Sequence, residues 1–156
     1  MATWLEVTAA APEFAVTVQA IFDAHKHKVL ATLRKDGSPR LSGMEATFND
    51  GELWLGMMPR SLKALDLLRD PRLALHSATV DTELTLGDAK LSGRAIEVTD
   101  PEAWKSVVEA GPPTDDSHLF RVDILEISLI RVGDPADHLV IESWTPGRGY
   151  QSIQRY

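Results

Sequence analysis

Short β-compatible segments separated by tight turns fill the middle of this chain, and they constrain its fold more than any other feature. Residues 29–34 are mostly apolar and end at Asp36-Gly37, a dipeptide typical of hairpin turns. A second turn signal, Asn49-Asp50-Gly51, separates segment 40–48 from segment 52–57. The pattern predicts a meander of short antiparallel strands.

Further elements follow from the same kind of reading. Helices are expected at about 12–26, at 62–69 with Leu62, Leu65 and Leu68 facing inward, and from 100 to about 110. Further strands are expected at 72–79, 90–98, 120–132 and 138–144. Six or seven strands with two or three short helices are typical of a mainly β (α+β) antiparallel barrel, which also removes exposed strand edges.

Composition indicates one domain spanning residues 1–156. Of the 156 residues, 44% are hydrophobic, which is enough for one substantial core. No convincing linker occurs, since the longest loop-like stretch is 111–116, and residues 145–156 are expected to form a C-terminal tail.

Charge and cysteine content narrow the function classes. The net charge of −7 argues against a nucleic-acid partner, which would need a concentrated basic surface. Without cysteine, the chain has no disulfide, thiolate nucleophile or cysteine-ligated metal site. Residues 1–13 do not resemble a secretory signal, and no segment has the ~20 apolar residues that cross a bilayer. We therefore expect a cytoplasmic protein with no membrane partner.

The segment Arg60-Ser61-Leu62-Lys63 is the strongest candidate binding feature. It combines a guanidinium, a hydroxyl and an ammonium with the first amides of a helix, and such amides favour a phosphate. Arg40, on a neighbouring predicted strand, could reach the same anion. The alternative is that Ser61 only caps the helix and the cations are solvated.

The order of several short motifs resembles the pyridoxamine 5′-phosphate oxidase-like family. The motifs are the run 27–40, then Leu53-Trp54-Leu55-Gly56, then Arg60-Ser61-Leu62-Lys63, then 68–72. The resemblance covers residues 29–98 well and the rest loosely. It implies a split β-barrel homodimer with a flavin-type cofactor, flavin mononucleotide (FMN), at each end of the subunit interface.

The resemblance also implies roles for particular residues. The cofactor phosphate would be bound by Arg40, Ser61 and Lys63, with Arg60 as an addition. Three further residues are candidates for contact with the cofactor chain or ring: Ser42, Gly43 and, more weakly, Lys90. Four soft or aromatic side chains could surround the ring, although each is equally expected as barrel core: Met44, Trp54, Met57 and Met58.

The C-terminal region and the histidines leave alternatives open. Trp144 and Arg148 could cross to the cofactor of a partner subunit, or Trp144 could be a core residue followed by a frayed tail. His118 is a candidate proton donor near a substrate mouth. His25 and His27 lack a nearby carboxylate ligand, so no metal site is predicted.

Two classes of function therefore remain. The first is an FMN-dependent oxidoreductase acting on a small molecule, with a deazaflavin coenzyme of the F-420 type as a variant cofactor. The second is a non-catalytic flavin or heme carrier or sensor. No catalytic side chain is predicted, because a flavin carries the redox chemistry itself. The chain lacks the long C-terminal extension of the family's best-known enzyme, which argues against oxidation of pyridoxamine phosphate.

Overall fold

The computed structural model describes residues 1–109, 111 and 116–156, and its main feature is one antiparallel sheet. Three α-helices lie within these residues: α1 Trp4–Ala10, α2 Pro12–Asp23 and α3 Leu62–Arg69. A 3-10 helix follows at Pro101–Ser106. The strands are β1 Lys28–Leu33, β2 Pro39–Met44, β3 Thr47–Asn49, β4 Glu52–Met57, β5 Arg72–His76, β6 Asp88–Glu97, β7 His118–Val132, β8 Leu139–Thr145 and β9 Gly149–Arg155.

The sheet has the order β2-β1-β5-β6-β7-β4-β3, and β8 and β9 branch from β7. All pairings between these strands are antiparallel. The long strand β7 pairs with β6, β4 and β8, so it connects the two parts of the sheet. The predicted mainly β split-barrel fold class is confirmed.

The N-terminal helices cover the apolar side of the sheet. Phe14, Val18 and Phe22 recur at helical spacing on α2 and are buried. Phe48 of β3 lies between the two helices, 4.5 Å from the Trp4 ring and 5.8 Å from the Phe22 ring. Such aromatic pairs hold the helices against the core.

The sequence reading of α3 was wrong about its inward face. Its bounds match the prediction, but Leu62, Leu65 and Leu68 are 60%, 43% and 47% exposed. The helix instead turns Asp66 inward, where it accepts hydrogen bonds from Thr32 and Arg40. The hydrogen bonds from Thr32 and Arg40 on the sheet thus fix the rotation of α3 about its axis. The apolar periodicity of the helix had predicted a different face toward the core.

Four other differences concern element bounds. The predicted strand 40–48 is two strands, separated at residues 45–46, and the predicted helix 100–110 is the shorter 3-10 helix. The expected tail 145–156 contains β9, which pairs with β8 and raises the strand count to nine among the described residues. Helix α1 was missed, although its capping box between Thr3 and Glu6 is a readable signal. The predicted helix end at residue 110 and residues 112–115 of the predicted loop lie outside the described residues.

No helix in the described part of the chain has the length and apolar character needed to span a membrane.

Candidate functional site

A cleft of about 370 Å³ lies between β2, β4 and α3, and we call it the Lys63 cleft. Its volume is within the usual range for small-molecule sites. The residues that line it are His27, Gly43, Met44, Glu45, Thr47, Gly56, Met57, Lys63, Trp104, Val107 and Val108. Lys63 is the one lysine or arginine among these residues, and it lies on the first turn of α3.

Two predicted site residues, Gly43 and Lys63, come together in this cleft although they belong to different elements. Gly43 is exposed on β2, and a Cβ added there would meet no atom within 4 Å. The backbone at Gly43 is therefore open to a ligand. Lys63 supplies a cation to the same cleft. A ligand in this cleft can therefore approach the backbone closely at Gly43 and place an anionic group at Lys63.

The other residues of the predicted phosphate turn lie next to the cleft. The Ser61 hydroxyl accepts a hydrogen bond from the Ala64 amide at 3.3 Å, so Ser61 caps α3. Arg60 is exposed and has a φ of 56°, a left-handed conformation that non-glycine residues rarely adopt. The left-handed turn at Arg60 comes directly before Ser61 and leads the chain into α3.

Arg40 has a different partner in this structure. Its Nε donates to Asp66 Oδ2 at 2.6 Å, and Asp66 also accepts from Arg69 and from the Thr32 hydroxyl, both at 2.8 Å. Burial acts to raise the pKa of Asp66, but the hydrogen bonds from Arg40, Arg69 and Thr32 outweigh it and lower the pKa to about 2. Arg40 therefore serves an ion-pair network rather than lining the Lys63 cleft.

Ser42 and Lys90 lie on two different parts of the sheet. Ser42 pairs with Leu30 on β2 and is half-buried, next to Gly43. Lys90 lies on β6, in the cross-strand row that runs from Gly43 through Val29 and His76. Three strand spacings of about 4.8 Å separate Lys90 from Gly43, roughly 14 Å, so Lys90 is not part of the Lys63 cleft.

The two C-terminal candidates differ in burial. Trp144 is 4% exposed and belongs to the main core, which favours the core interpretation over a reach into a partner. Its Nε1 has no hydrogen-bond partner among the described residues. Arg148 is exposed in the turn between β8 and β9, and its position leaves its side chain accessible to another subunit.

The soft and aromatic candidates divide between the cleft and its support. Met44 and Met57 line the cleft, whereas Met58 is 77% exposed outside it. Trp54 packs in a small cluster with Leu119 and Trp104, and Trp104 reaches the cleft. The cleft is thus lined by apolar side chains as well as by Lys63.

Sequence reasoning missed the contribution of Trp104 and Gly56. A Cβ at Gly56 would approach the Trp104 ring to 3.4 Å, so the absent side chain allows the indole to lie against β4. Trp104 sits on the 3-10 helix, far along the chain from β4. A tryptophan within a short predicted helix could have been noticed in the sequence, but its contact with β4 depends on tertiary packing.

His118 lies at the start of β7, where its Nδ1 contacts Glu97 Oε1 at 2.8 Å. His118 and Trp104 both line a second cavity, which is distinct from the Lys63 cleft. The predicted proton donor therefore has a carboxylate partner that the sequence reading did not identify.

Comparison with known proteins places this geometry in a family context. A family model described as pyridoxamine 5′-phosphate oxidase matches residues 15–131. No match to a curated protein reaches significance.

Several solved structures are similar to the chain. The conserved hypothetical protein Rv2991 of Mycobacterium tuberculosis is 28% identical, with a TM-score of 0.58 over 72% of this chain and 81% of that chain. A pyridoxamine 5′-phosphate oxidase-related, FMN binding protein of Nostoc punctiforme is 12% identical, with a TM-score of 0.68 over 94% and 96% of the two chains. An F420 reductase is 19% identical, with a TM-score of 0.56 over 70% and 94%. At the lower two identities the likeness concerns the fold alone.

Proposed function

Because the chain belongs to the pyridoxamine 5′-phosphate oxidase family, we propose that it is an FMN-dependent oxidoreductase that acts on a small organic substrate. The single observation that carries the proposal is the meeting of Gly43 and Lys63 in one cleft. The FMN-binding relative and the F420 reductase with the same fold support a cofactor of flavin or deazaflavin type.

The residues of the Lys63 cleft fit such a cofactor. Lys63 and the first amides of α3 provide donors and a positive potential for the phosphate. Exposed Arg60, directly before the helix cap, adds a planar donor group. Glu45, the one carboxylate among the lining residues, is paired with Lys26 at 3.2 Å, which reduces its repulsion of an anion.

The remainder of the cleft fits a planar ring. Gly43 and Gly56 place no side chain on the parts of β2 and β4 that line the cleft. Met44, Met57 and Trp104 offer apolar contact. A bound flavin supplies hydride transfer chemistry. The chain's own residues would bind and orient the ring, and Met57 and Trp104 would exclude water from it.

A homodimer is part of the proposal, and the outer sheet face is its interface. This face consists of two cross-strand rows: Gly43, Val29, His76, Lys90 and Ser128, and next to it Leu41, Ala31, Ala74, Ser92 and Glu126. Leu41 is 71% exposed there, which is unusual for a leucine on a strand. The face also carries Lys90 and Glu126, so two copies related by a two-fold axis can match opposite charges.

Gly43 belongs both to the outer sheet face and to the Lys63 cleft. A second copy packed on that face would therefore lie beside the cleft and could add a cation to it. Exposed Arg148 is our candidate for that residue. In this arrangement the whole chain, residues 1–156, acts as a single domain, and neither half of the dimer has a complete site alone.

A non-catalytic flavin or heme carrier or sensor is the alternative function. The cavity that His118 and Trp104 line favours the enzyme, because a carrier needs no second ligand space.

The experiment is a titration of the purified protein with FMN and with a deazaflavin coenzyme, followed by absorption and fluorescence. We expect Lys63→Ala to weaken cofactor binding by about tenfold or more, the worth of one charge-assisted contact. Lys35→Ala is the matched control, since Lys35 is exposed in the turn between β1 and β2. Wild-type protein that binds neither cofactor, or equal affinity in the Lys63 and Lys35 variants, would contradict the proposal.

A further inference from the structure

A separate cavity of about 480 Å³ lies between the α1–α2 junction and strands β7, β8 and β9, and we call it the Arg131 cavity. Its volume is within the usual range for small-molecule sites. The residues that line it are Ala10, Ala11, Pro12, Glu13, Phe14, Thr17, Arg131, Glu142 and Tyr150. No described residue lines both this cavity and the Lys63 cleft, so a ligand here would bind apart from the proposed cofactor.

The strand side of the cavity is formed by three polar side chains on one face of the sheet: Arg131, Glu142 and Tyr150. Arg131 is opposite Val140 in the β7–β8 ladder, and Tyr150 is opposite Trp144 in the β8–β9 ladder. Val140, Glu142 and Trp144 alternate along β8, so their side chains face the same side of the sheet. The three polar residues therefore share the side on which Trp144 joins the core.

Glu142 holds the other two polar side chains in place. Its Oε1 accepts a hydrogen bond from the Tyr150 hydroxyl at 2.7 Å, and its Oε2 accepts one from Arg131 Nε at 3.3 Å. The hydrogen bond to Glu142 raises the pKa of Tyr150, which keeps the phenol protonated as the donor. The Glu142 side chain is 15% exposed, so this network is partly shielded from water.

Arg131 keeps unused donors in this arrangement. Its Nε is bound to Glu142, but no described residue accepts a hydrogen bond from its two terminal nitrogens. A guanidinium is always charged, and its forked N–H groups match the two oxygens of a carboxylate. The Arg131 side chain is 40% exposed and lines the cavity, so a carboxylate on a ligand can reach it.

The helix side of the cavity adds an apolar wall and a second carboxylate. Phe14 packs against the Tyr150 ring with centroids 5.4 Å apart, and residues 10–12 extend this apolar surface. Glu13 is exposed beside them, and no described residue pairs with its carboxylate. An unpaired carboxylate close to an aromatic ring favours an ammonium group.

From these observations we propose that the Arg131 cavity binds an α-amino acid with an apolar side chain. Arg131 binds its carboxylate, and Glu13 binds its ammonium. The Phe14 and Tyr150 rings contact its side chain. The charged lining residues, one arginine and two glutamates, fit a zwitterion better than either single charge, because an anion would meet Glu13 and Glu142 and a cation would meet the guanidinium.

Three probes separate the features of this ligand. L-Phenylalanine carries both charges, 3-phenylpropanoate lacks the ammonium, and 2-phenylethylamine lacks the carboxylate. We expect calorimetry on the full chain to show the tightest binding for L-phenylalanine, and NMR to show that it shifts the Tyr150 ring resonances.

Arg131→Gln tests the carboxylate contact. It should weaken binding of L-phenylalanine and 3-phenylpropanoate about tenfold, the worth of one charge-assisted hydrogen bond, and should not weaken binding of 2-phenylethylamine. Arg155→Gln, at an exposed site on β9 outside the lining residues, is the matched control. Equal L-phenylalanine affinity in the Arg131 and Arg155 variants would overturn the inference.

Glu13→Gln keeps the test informative if the Arg131 variant does not fold, since Glu13 is exposed. We expect it to weaken binding of L-phenylalanine and 2-phenylethylamine by a few fold and not to weaken binding of 3-phenylpropanoate. Asp23→Asn, at the exposed far end of α2, is its control. Unchanged Tyr150 resonances on addition of L-phenylalanine, or 3-phenylpropanoate that binds wild type as tightly as L-phenylalanine, would contradict the proposed ligand class.

The outcome is separable from that of the proposed function. Protein that binds FMN or deazaflavin but not L-phenylalanine would refute the amino-acid site and leave the cofactor proposal standing. Protein that binds L-phenylalanine at the Arg131 cavity but neither cofactor would support the amino-acid site and refute the proposed function.

Discussion

Arg40 on β2 and Asp66 on α3 form an ion pair with an Nε–Oδ2 distance of 2.6 Å, and this pair ties the helix to the sheet. Asp66 is 3% exposed, and it also accepts from Thr32 at Oδ2 and from Arg69 at Oδ1. Breaking a buried charge pair from one side leaves the partner charges uncompensated, which is more costly than losing a surface ion pair.

We therefore expect Asp66→Asn to lower the free energy of unfolding by roughly 3 kcal/mol, because Arg40 and Arg69 lose the negative charge that both of them pair with. Chemical denaturation of the apo-protein measures it. The control is Asp23→Asn at the exposed end of α2, which should change the free energy of unfolding by less than about 0.5 kcal/mol. Equal stability of the two variants would show that the network does not anchor α3.

The same carboxylate makes stability depend on pH. The folded-state pKa of Asp66 is about 2, below its ordinary value of 3.8, so the unfolded chain takes up the proton first as the pH falls. The stability that Asp66 contributes is complete above about pH 4 and is lost as the pH falls toward about 2. Melting temperatures recorded between pH 5 and pH 2 should decline, and the decline should be shallower in Asp66→Asn.

A residual decline is expected in that variant. Asp70 also has a pKa of about 2, since hydrogen bonds from the Arg72 side chain and backbone lower it. A pH profile of Asp66→Asn that matches wild type throughout this window would contradict the role of Asp66.

Gly93 permits a close approach between β6 and β7. It is buried at the point where the register between these strands shifts, and a Cβ there would lie 2.4 Å from the Asp123 carbonyl oxygen. Because the obstacle is backbone, Gly93→Ala should destabilise the protein by about 2 kcal/mol or more. Gly147→Ala is the control, since a Cβ at Gly147 meets nothing within 4 Å. Thermal unfolding that ranks the two variants equally would be inconsistent with this packing.

Leu41 on the outer sheet face tests the proposed dimer. We expect wild-type protein to have the mass of a dimer by light scattering, and Leu41→Lys to shift it toward the monomer, because a charge would have to be buried at the interface. Leu86→Lys is the matched control, as Leu86 is 74% exposed in the loop between β5 and β6. A monomeric wild type, or a Leu41→Lys protein that remains fully dimeric, would refute the proposed interface.

Turns and helix ends were predicted correctly where a few neighbouring residues determine the backbone conformation. The turn at Asp36-Gly37 joins β1 to β2, and α3 begins after Ser61 and ends at Arg69 as expected. Turn dihedrals, helix caps and strand periodicity are decided by neighbouring residues, so they can be read without knowing the fold. The same signals, in their order along the chain, also supported the resemblance to a family.

Contacts between distant segments could not be read in the same way. The sequence placed Arg40 and Lys63 at one phosphate, whereas the tertiary structure pairs Arg40 with Asp66 and leaves Lys63 in the cleft with Gly43. It also left Trp104 and the partner of His118 unidentified, since the 3-10 helix and Glu97 meet these sites only through packing.

Backbone preferences and capping hydrogen bonds act over a few residues, so the antiparallel elements, their turns and the helix that carries Lys63 could be predicted from the sequence. Which charges pair, and which side chains line a cavity, depends on the burial and register of strands brought together from across the chain. For that reason, the pairing of Asp66 with Arg40 and the place of Trp104 in both the Lys63 cleft and the cavity lined by His118 became visible only in the folded protein.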